Sequence, residues 1–447
     1  METPICDFVR DYAESGTMRL HMPGHKGKPV LGMEHLDITE IRGADSLYEA
    51  DGIIARSEAN ASRIFGCRTL YSTEGSSQCI RAMLYLVQLY AKKRGIRPLV
   101  AAGRNAHKTF LTAAGLLDLR VHWLYPKEDT GYLSCDLTAQ ALEEYLQTAG
   151  ELPAAVYLTS PDYLGKTADI RGISRVCHRH GVLLVVDNAH GAYLRFLPES
   201  RHPMDLGADL CCDSAHKTLS VLTGGAYLHL SEQMDRLLGT QAKNAMMLFG
   251  STSPSYLILQ SLDAANRRLV DYPARLEKLI PGLEALKLRL RRGGYSLYGD
   301  EVLKLTIAAK ARGYTGTQLA ELLRRQAVEP EFADPDHLVL MFSPETDEAL
   351  LEKLEQMLLR IPAREPIRDA APALAMGKSL MTIRDAMLSD SEVLPIGQCR
   401  GRVLAVPTVG CPPAVPILVC GEQIDDHAIN CFAYYGIGQC CVVRTEE

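Results

Sequence analysis

An acid and an amine follow two successive apolar runs. Val182 to Val186 is an unbroken apolar stretch whose next residue is Asp187, and Ala208 to Cys212 leads straight into Asp213-Ser214-Ala215-His216-Lys217-Thr218. Apolar runs this short are strands buried on both faces, and ligands of open α/β sheets bind beyond the carboxyl ends of such strands. Asp187 and Lys217 are therefore expected at one edge of a sheet. Gly75-Ser76-Ser77 opens a helical pattern, and the unpaired N–H groups of a helix start suit a phosphate. An amine that can form a Schiff base, a carboxylate that can keep a pyridine nitrogen protonated and a phosphate-binding helix start are the parts of a pyridoxal 5′-phosphate site. Taken singly, a loop lysine is usually solvated and a Gly-Ser-Ser is usually an N-cap. Their order makes the joint reading stronger, and no G-x-G-x-x-G or G-x-x-x-x-G-K-[ST] follows any apolar run to favour a nucleotide.

The elements that must position these residues alternate. After Ser76 and Ser77, apolar Ile80, Met83, Leu84, Val87 and Tyr90 recur at helical spacing and stop at Lys92-Lys93-Arg94-Gly95, the pattern of a capped amphipathic helix. Runs at Pro98 to Ala102, Ala154 to Leu158, Val182 to Val186 and Ala208 to Cys212 are separated by helical stretches such as Leu137 to Thr148 and Ile173 to His180, which predicts an α/β domain with a mainly parallel sheet. Beyond Ser253-Pro254 the pattern predicts a long helix through Leu279, a strand at Val302 to Ala308, a helix at Thr315 to Gln326, a strand at His337 to Phe342 and a helix ending before Pro362. That is a smaller α+β domain. Pro362 to Pro372 reads as a linker into a third region, and Arg289, Arg291 and Arg292 read as a solvated helix end.

Composition narrows the function class. A chain of 447 residues with 47% hydrophobic, 23% charged and 6% aromatic residues is folded and too long for one ordinary core. A net charge of -6 gives no general field for nucleic acid or an anionic membrane, and no apolar run reaches the roughly 18–20 residues of a membrane span. The start, Met-Glu-Thr-Pro-Ile-Cys-Asp, has no signal-peptide pattern, so the expected compartment is the cytosol. Thirteen cysteines without C-x-x-C spacing favour reduced thiols. The group from Cys399 to Cys441, with only His427 nearby, matches no zinc pattern, so no metal site is expected there.

The chain resembles the Orn/Lys/Arg decarboxylases of the aspartate-aminotransferase fold (fold type I, pyridoxal-phosphate dependent), in the short form without an N-terminal receiver-like domain. The likeness runs through His21-Met22-Pro23-Gly24-His25-Lys26-Gly27, Asp37-Ile38-Thr39-Glu40-Ile41, Gly75-Ser76-Ser77 and Ser160-Pro161-Asp162-Tyr163-Leu164-Gly165. It continues through Asp187-Asn188-Ala189-His190-Gly191-Ala192, Asp213-Ser214-Ala215-His216-Lys217-Thr218-Leu219 and Thr252-Ser253-Pro254-Ser255-Tyr256. The resemblance implies an N-terminal arm over 1–45, a cofactor-binding large domain over 46–254, a small α+β domain over 255–362 and a C-terminal decarboxylase-type domain over 363–447. It makes Lys217 the Schiff-base lysine and Asp187 the partner of the pyridine nitrogen. Gly75, Ser76, Ser77 and Ser214 fall to the phosphate, His107 to one ring face, Ala189 to the other and His190 to the cofactor pocket. His216 is a candidate for phosphate contact or proton transfer. Thr252 and Ser253 match a segment that completes the phosphate site of a neighbouring subunit, which implies a homodimer or higher homo-oligomer with the active site at the dimer interface.

The implied activity is decarboxylation of an amino acid, most naturally arginine, lysine or ornithine, to an amine of the kind used in polyamine synthesis. One region departs from the pattern. Where relatives read Gly-Arg-Ile-Ser-Ala-Glu, this chain has Gly401-Arg402-Val403-Leu404-Ala405-Val406, and Cys411 stands where they carry Tyr. Loss of a carboxylate at Val406 bears on recognition of a distal cation, for which Glu422 and Asp425 are the nearby substitutes. The alternatives are another pyridoxal-phosphate reaction, an aminotransferase or carbon–sulfur lyase acting on a non-basic amino acid, and a non-catalytic homologue that pairs with an active decarboxylase.

Overall fold

The computed structural model describes residues 1–126, 131–407 and 413–445. Seven strands, β1 (Arg68–Ser72), β2 (Leu99–Gly103), β3 (Arg120–Leu124), β4 (Ala155–Thr159), β5 (Leu183–Asp187), β6 (Leu210–Asp213) and β7 (Ala226–Leu230), form the main sheet in the order β1-β7-β6-β5-β4-β2-β3. β2 and β3 pair in parallel, as do β5 and β6, while β7 runs antiparallel to both β1 and β6. Every residue of β2, β5, β6 and β7 is buried, which is why they read as continuous apolar runs rather than alternating ones. β3 lies at the sheet edge and alternates exposed with partly buried positions until Leu124.

The chain folds as two compact units. The first comprises Met1–Pro98, Glu151–Tyr157 and Ile170–Ala274. Its long helix Gly75–Arg94 ends where the sequence predicts, because Gly95 takes the left-handed conformation and its N–H closes the last turn. The N-terminal helix Pro4–Glu14 is tied to the helix Tyr256–Arg268 by the N–H groups of Ile5 and Cys6, which donate to Asp263 Oδ2 at 2.9 and 3.0 Å.

The predicted long helix after Pro254 is two, Tyr256–Arg268 and Tyr272–Arg292. Pro273 accounts for the break: it lacks an N–H and fits the first turn of a new helix. Apolar periodicity runs through the junction and hides it.

The second unit comprises Leu99–Gly150, Leu158–Asp169 and Arg275–Glu447. It carries a four-stranded antiparallel sheet of β8 (Leu297–Tyr298), β9 (Lys304–Ala308), β10 (Phe332–Ala333) and β11 (His337–Met341), in the order β10-β11-β9-β8. A pair of antiparallel strands follows, β12 (Ser391–Pro395) and β13 (Gln439–Val443). Leu404, Ile417, Leu418, Ile424, Phe432 and Val442 join Tyr132 and Leu133 in one buried apolar cluster, so the C-terminal segment shares a core with the rest of this unit. Cys399, Cys420, Cys431 and Cys440 are buried free thiols, and burial pushes Cys420 up to about 12. Among the described residues no helix is long and apolar enough to cross a membrane.

Candidate active site

The first unit brings most of the expected residues to one place. β5 ends at Asp187, which is buried and accepts the Ala189 N–H on Oδ1 at 3.1 Å and the Tyr157 hydroxyl on Oδ2 at 3.2 Å. Burial raises its pKa, and the positive charge of Lys217 is the largest influence in the other direction. A carboxylate so placed calls for a cation.

β6 ends at Asp213, and the chain turns through Ser214 into the single helical turn Ala215–Thr218. Lys217 Nζ donates to His190 Nε2 at 2.9 Å. His216 Nδ1 donates to the Gly225 carbonyl at 2.9 Å, which fixes the tautomer and leaves Nε2 as the basic nitrogen. Ser214 Oγ donates to Ser76 Oγ at 2.8 Å, and that bond joins the lysine turn to the start of the helix Gly75–Arg94.

That helix start is held in turn by the loop before β7. The Gly75 N–H donates to Gly224 O at 2.7 Å, and Gly224 has φ +100° with a built Cβ only 2.8 Å from Thr73 O, so a side chain there would displace the turn. A Cβ built on Gly75 itself meets nothing within 4 Å. Open space thus lies over a helix start flanked by half-buried Ser76 and Ser77.

A buried carboxylate without an ion pair among the described residues, an amine beside an imidazole and a hydroxyl-lined helix start with room in front of it match the ring nitrogen, aldehyde and phosphate of pyridoxal phosphate. Ala189 is buried between Asp187 and His190. Thr252 and Ser253 are exposed, on a loop whose Ser251 N–H donates to the Glu74 carboxylate beside the helix start.

His107 belongs to the second unit. It caps the helix Lys108–Leu116, its Nδ1 accepting the Thr109 N–H at 3.1 Å and meeting Thr109 Oγ1 at 2.9 Å. The turn that carries it is stitched to the C-terminal segment: Lys108 N–H donates to Ala414 O at 2.8 Å, and the buried Arg104 donates to the Pro416 and Ile417 carbonyls, each at 2.8 Å. In the same unit Glu422 accepts the Val419 N–H at 2.9 Å, and Asp425 caps the helix Asp426–Tyr434 through the Ala428 N–H at 2.7 Å. Both acids that the sequence offers for a distal cation are thus used by their own backbone. Val406 is about one-third exposed, and Cys411 lies outside the described residues.

Sequence reasoning missed Tyr157, Arg104 and a buried cluster around Asp213. His202 and His229 both donate Nε2–H to Asp213 Oδ2, at 3.0 and 3.1 Å. The available signal was weak: an acid in the apolar run Leu210–Asp213, and a histidine in the apolar run Ala226–Leu230. His202, Cys211 and Asp213 have potential metal-ligand atoms within 4.8 Å of one another. The imidazole protons already occupy the Asp213 oxygen, however, so the cluster reads as hydrogen-bonded rather than metal-binding.

Over 96% of its length the chain is 27% identical to arginine decarboxylase from Bacillus subtilis, covering 92% of that protein. The solved lysine decarboxylase LdcF of Francisella novicida superposes with a TM-score of 0.80 at 16% identity, covering 99% of this chain and 81% of that one. A structure of SPT with PLP shares the fold more distantly, with a TM-score of 0.54 at 13% identity over 68% of this chain and 75% of that one. Residues 3–280 match the family described as Orn/Lys/Arg decarboxylase, major domain, and the chain belongs to the Orn/Lys/Arg decarboxylase family.

Proposed function

We propose that the protein is a pyridoxal 5′-phosphate-dependent decarboxylase that converts a basic amino acid, arginine, lysine or ornithine, to the corresponding amine and carbon dioxide. The observation that carries this reading is the convergence of Lys217, the buried Asp187 and the Ser76–Ser214 bond within one compact unit. Pyridoxal phosphate, when bound, supplies the electron sink for loss of the α-carboxylate. Lys217 Nζ would hold the aldehyde carbon, and Asp187 would keep a proton on the ring nitrogen. Gly75, Ser76, Ser77 and Ser214 would hold the phosphate. His190 Nε2 takes a hydrogen bond from Lys217 and so keeps the amine directed. Lys217 or His216 would supply the proton that the α-carbon of the product needs. The roles of His107 and Ala189 at the two ring faces rest on the family likeness.

Likeness to a decarboxylase along nearly the whole chain favours this reaction over aminotransfer, over carbon–sulfur lyase chemistry and over a non-catalytic role. The choice of a basic substrate follows the arginine and lysine decarboxylases it resembles. The active unit is a homodimer or larger homo-oligomer. Supporting this, the N-terminal arm leaves Met18, Leu20, Val30 and Leu31 at least three-quarters exposed, an apolar surface that a second copy would cover. Free thiols at the described cysteines suit the reducing cytosol.

The test is to incubate holoprotein with arginine, lysine, ornithine, leucine, methionine and phenylalanine while measuring carbon dioxide and amine, on the wild type and on Val406→Glu. Turnover of at least one basic amino acid is expected. Absence of all three in both proteins would remove the basic-substrate reading, and keto acid in place of carbon dioxide would remove decarboxylation.

A further inference from the structure

Two carboxylates sit at the ends of neighbouring strands, and the catalytic reading uses only one of them. Asp213, the last residue of β6, has no exposed side-chain surface, and neither do the two imidazoles bound to it. Its Oδ2 accepts His202 Nε2–H at 3.0 Å and His229 Nε2–H at 3.1 Å, while Oδ1 accepts Asn188 Nδ2–H at 2.7 Å. The outer nitrogens are also engaged: His202 Nδ1 accepts the Met204 N–H at 3.3 Å, and His229 Nδ1 lies 2.9 Å from Thr69 Oγ1. Burial alone would raise the pKa of Asp213, yet His202 and His229 hold it below the usual carboxylate range.

The chain connectivity gives this cluster its consequence. Asn188 immediately follows Asp187, and Ser214 immediately follows Asp213 in the turn that presents Lys217. The Asp213 carboxylate therefore ties the turn after β5 to the turn after β6, with His229 anchoring it to β7 and His202 to the loop before β6. Room for the tie is kept by Gly191, where a Cβ would fall 2.0 Å from Asn188 Oδ1.

We propose that Asp213 is a positioning residue that fixes the separation between Asp187, which holds the ring nitrogen, and Lys217, which holds the aldehyde. The assignment rests on the reading of Asp187 and Lys217 given above. Its function is geometric: the carboxylate accepts three donors from three separate segments, two on Oδ2 and one on Oδ1, and the Asn188 bond joins the turn after Asp187 to the turn that presents Lys217.

Three variants test it. Asp213→Ala removes all three bonds, and Asn188→Ala removes only the strut to the Asp187 turn. Asp213→Asn keeps an oxygen for the imidazoles, and Asn188 can rotate its amide so that Oδ1, which has no hydrogen-bond partner among the described residues, accepts from the new NH2. A misplacement of about 1 Å costs roughly 100-fold in rate, so Asp213→Ala and Asn188→Ala should lower kcat by about 10- to 100-fold. KM should change little, and the pH titration of the bound cofactor's visible absorbance should move. Asp213→Asn should recover most of the loss.

A folded Asp213→Ala with wild-type kcat and an unmoved absorbance titration would overturn the proposal. If that variant does not fold, Asn188→Ala decides by the same two readouts. Asp213→Asn as impaired as Asp213→Ala would also overturn it, since charge rather than geometry would then matter. Failure of the underlying site reading looks different: borohydride would fix the cofactor of the wild type on a lysine other than Lys217.

Discussion

Replacing Arg104 by methionine measures how firmly the C-terminal segment is held to the turn that carries His107. Arg104 is 2% exposed and its two terminal nitrogens each donate to a carbonyl at 2.8 Å, on Pro416 and Ile417. Burial lowers its pKa, and the main opposing influence is the charge of Glu422. Glu422 in turn is raised by burial and held down chiefly by Arg104. Hydrogen bonds to a charged group contribute about 1.5–3 kcal/mol each, and Arg104 donates two of them. The two bonds share one donor group and are not simply additive, so the expected loss for Arg104→Met is about 3 kcal/mol. Trp123 is the single tryptophan of the chain, and the Arg104 guanidinium lies 5.6 Å from its ring centroid. Urea unfolding followed by tryptophan fluorescence therefore reports on this location, and the native emission should shift as well. Adding Glu422→Gln removes the stranded carboxylate and should recover part of the loss. A loss below about 1 kcal/mol, the range of an exposed pair, with unchanged emission and no recovery in the double variant, would refute the reasoning.

Purified holoprotein should be yellow, and borohydride reduction followed by peptide mapping should find the cofactor on Lys217; an adduct on Lys26 or Lys166 would move the site. Asp187→Asn should cost about 100-fold or more in turnover, because a ring nitrogen without its carboxylate is a poorer electron sink; turnover near wild type would dismiss Asp187 as the ring partner. The same substitution has an opposite effect on the apoprotein. A carboxylate whose folded pKa is raised contributes most below its unfolded pKa and loses that contribution as pH rises through the folded pKa. Melting of apo Asp187→Asn should therefore exceed that of the apo wild type above the ordinary aspartate range, with the two converging in acid; a wild-type advantage at neutral pH would contradict this. Mixing Lys217→Ala with the double variant Thr252→Ala and Ser253→Ala should restore some activity through hybrid subunits, whereas full activity from a dilute monomer would exclude the shared site.

The parts of the site that the sequence reveals are those carried by single segments. Asp187 and Lys217 are legible because a buried strand leaves an apolar run that stops abruptly at a polar residue, and the helix after Gly75 is legible because its caps lie next to its periodic core. Contacts between distant segments are not. Arg104 meets Pro416 across 312 positions, and nothing near either residue announces the other. Glu422 and Asp425 show the same limit from the other side. Their types suit a distal cation, but the backbone turns that follow Val419 and precede Ala428 draw both carboxylates to nearby N–H groups. The helix break before Tyr272 was hidden because apolar periodicity continues across it, while the decisive residue, Pro273, is equally at home in a first turn.

Asp187 and Asp213 show why burial by itself does not identify a catalytic acid. Both are buried carboxylates that terminate adjacent parallel strands, and Asn188 bridges from the turn of one to the oxygen of the other. Their donors separate them. Asp213 receives two imidazoles and an amide and is held below the usual range, so its charge is already satisfied inside the protein. Asp187 receives one backbone N–H, a tyrosine hydroxyl and a thiol, and burial raises it despite the charge of Lys217. The donors of Asp187 are neutral and no ion pair to it is found among the described residues, so a protonated ring nitrogen would suit it. Neighbouring groups pushed in opposite directions mark a division of roles, which fits the proposal that Asp187 meets the ring nitrogen while Asp213 holds the frame around it.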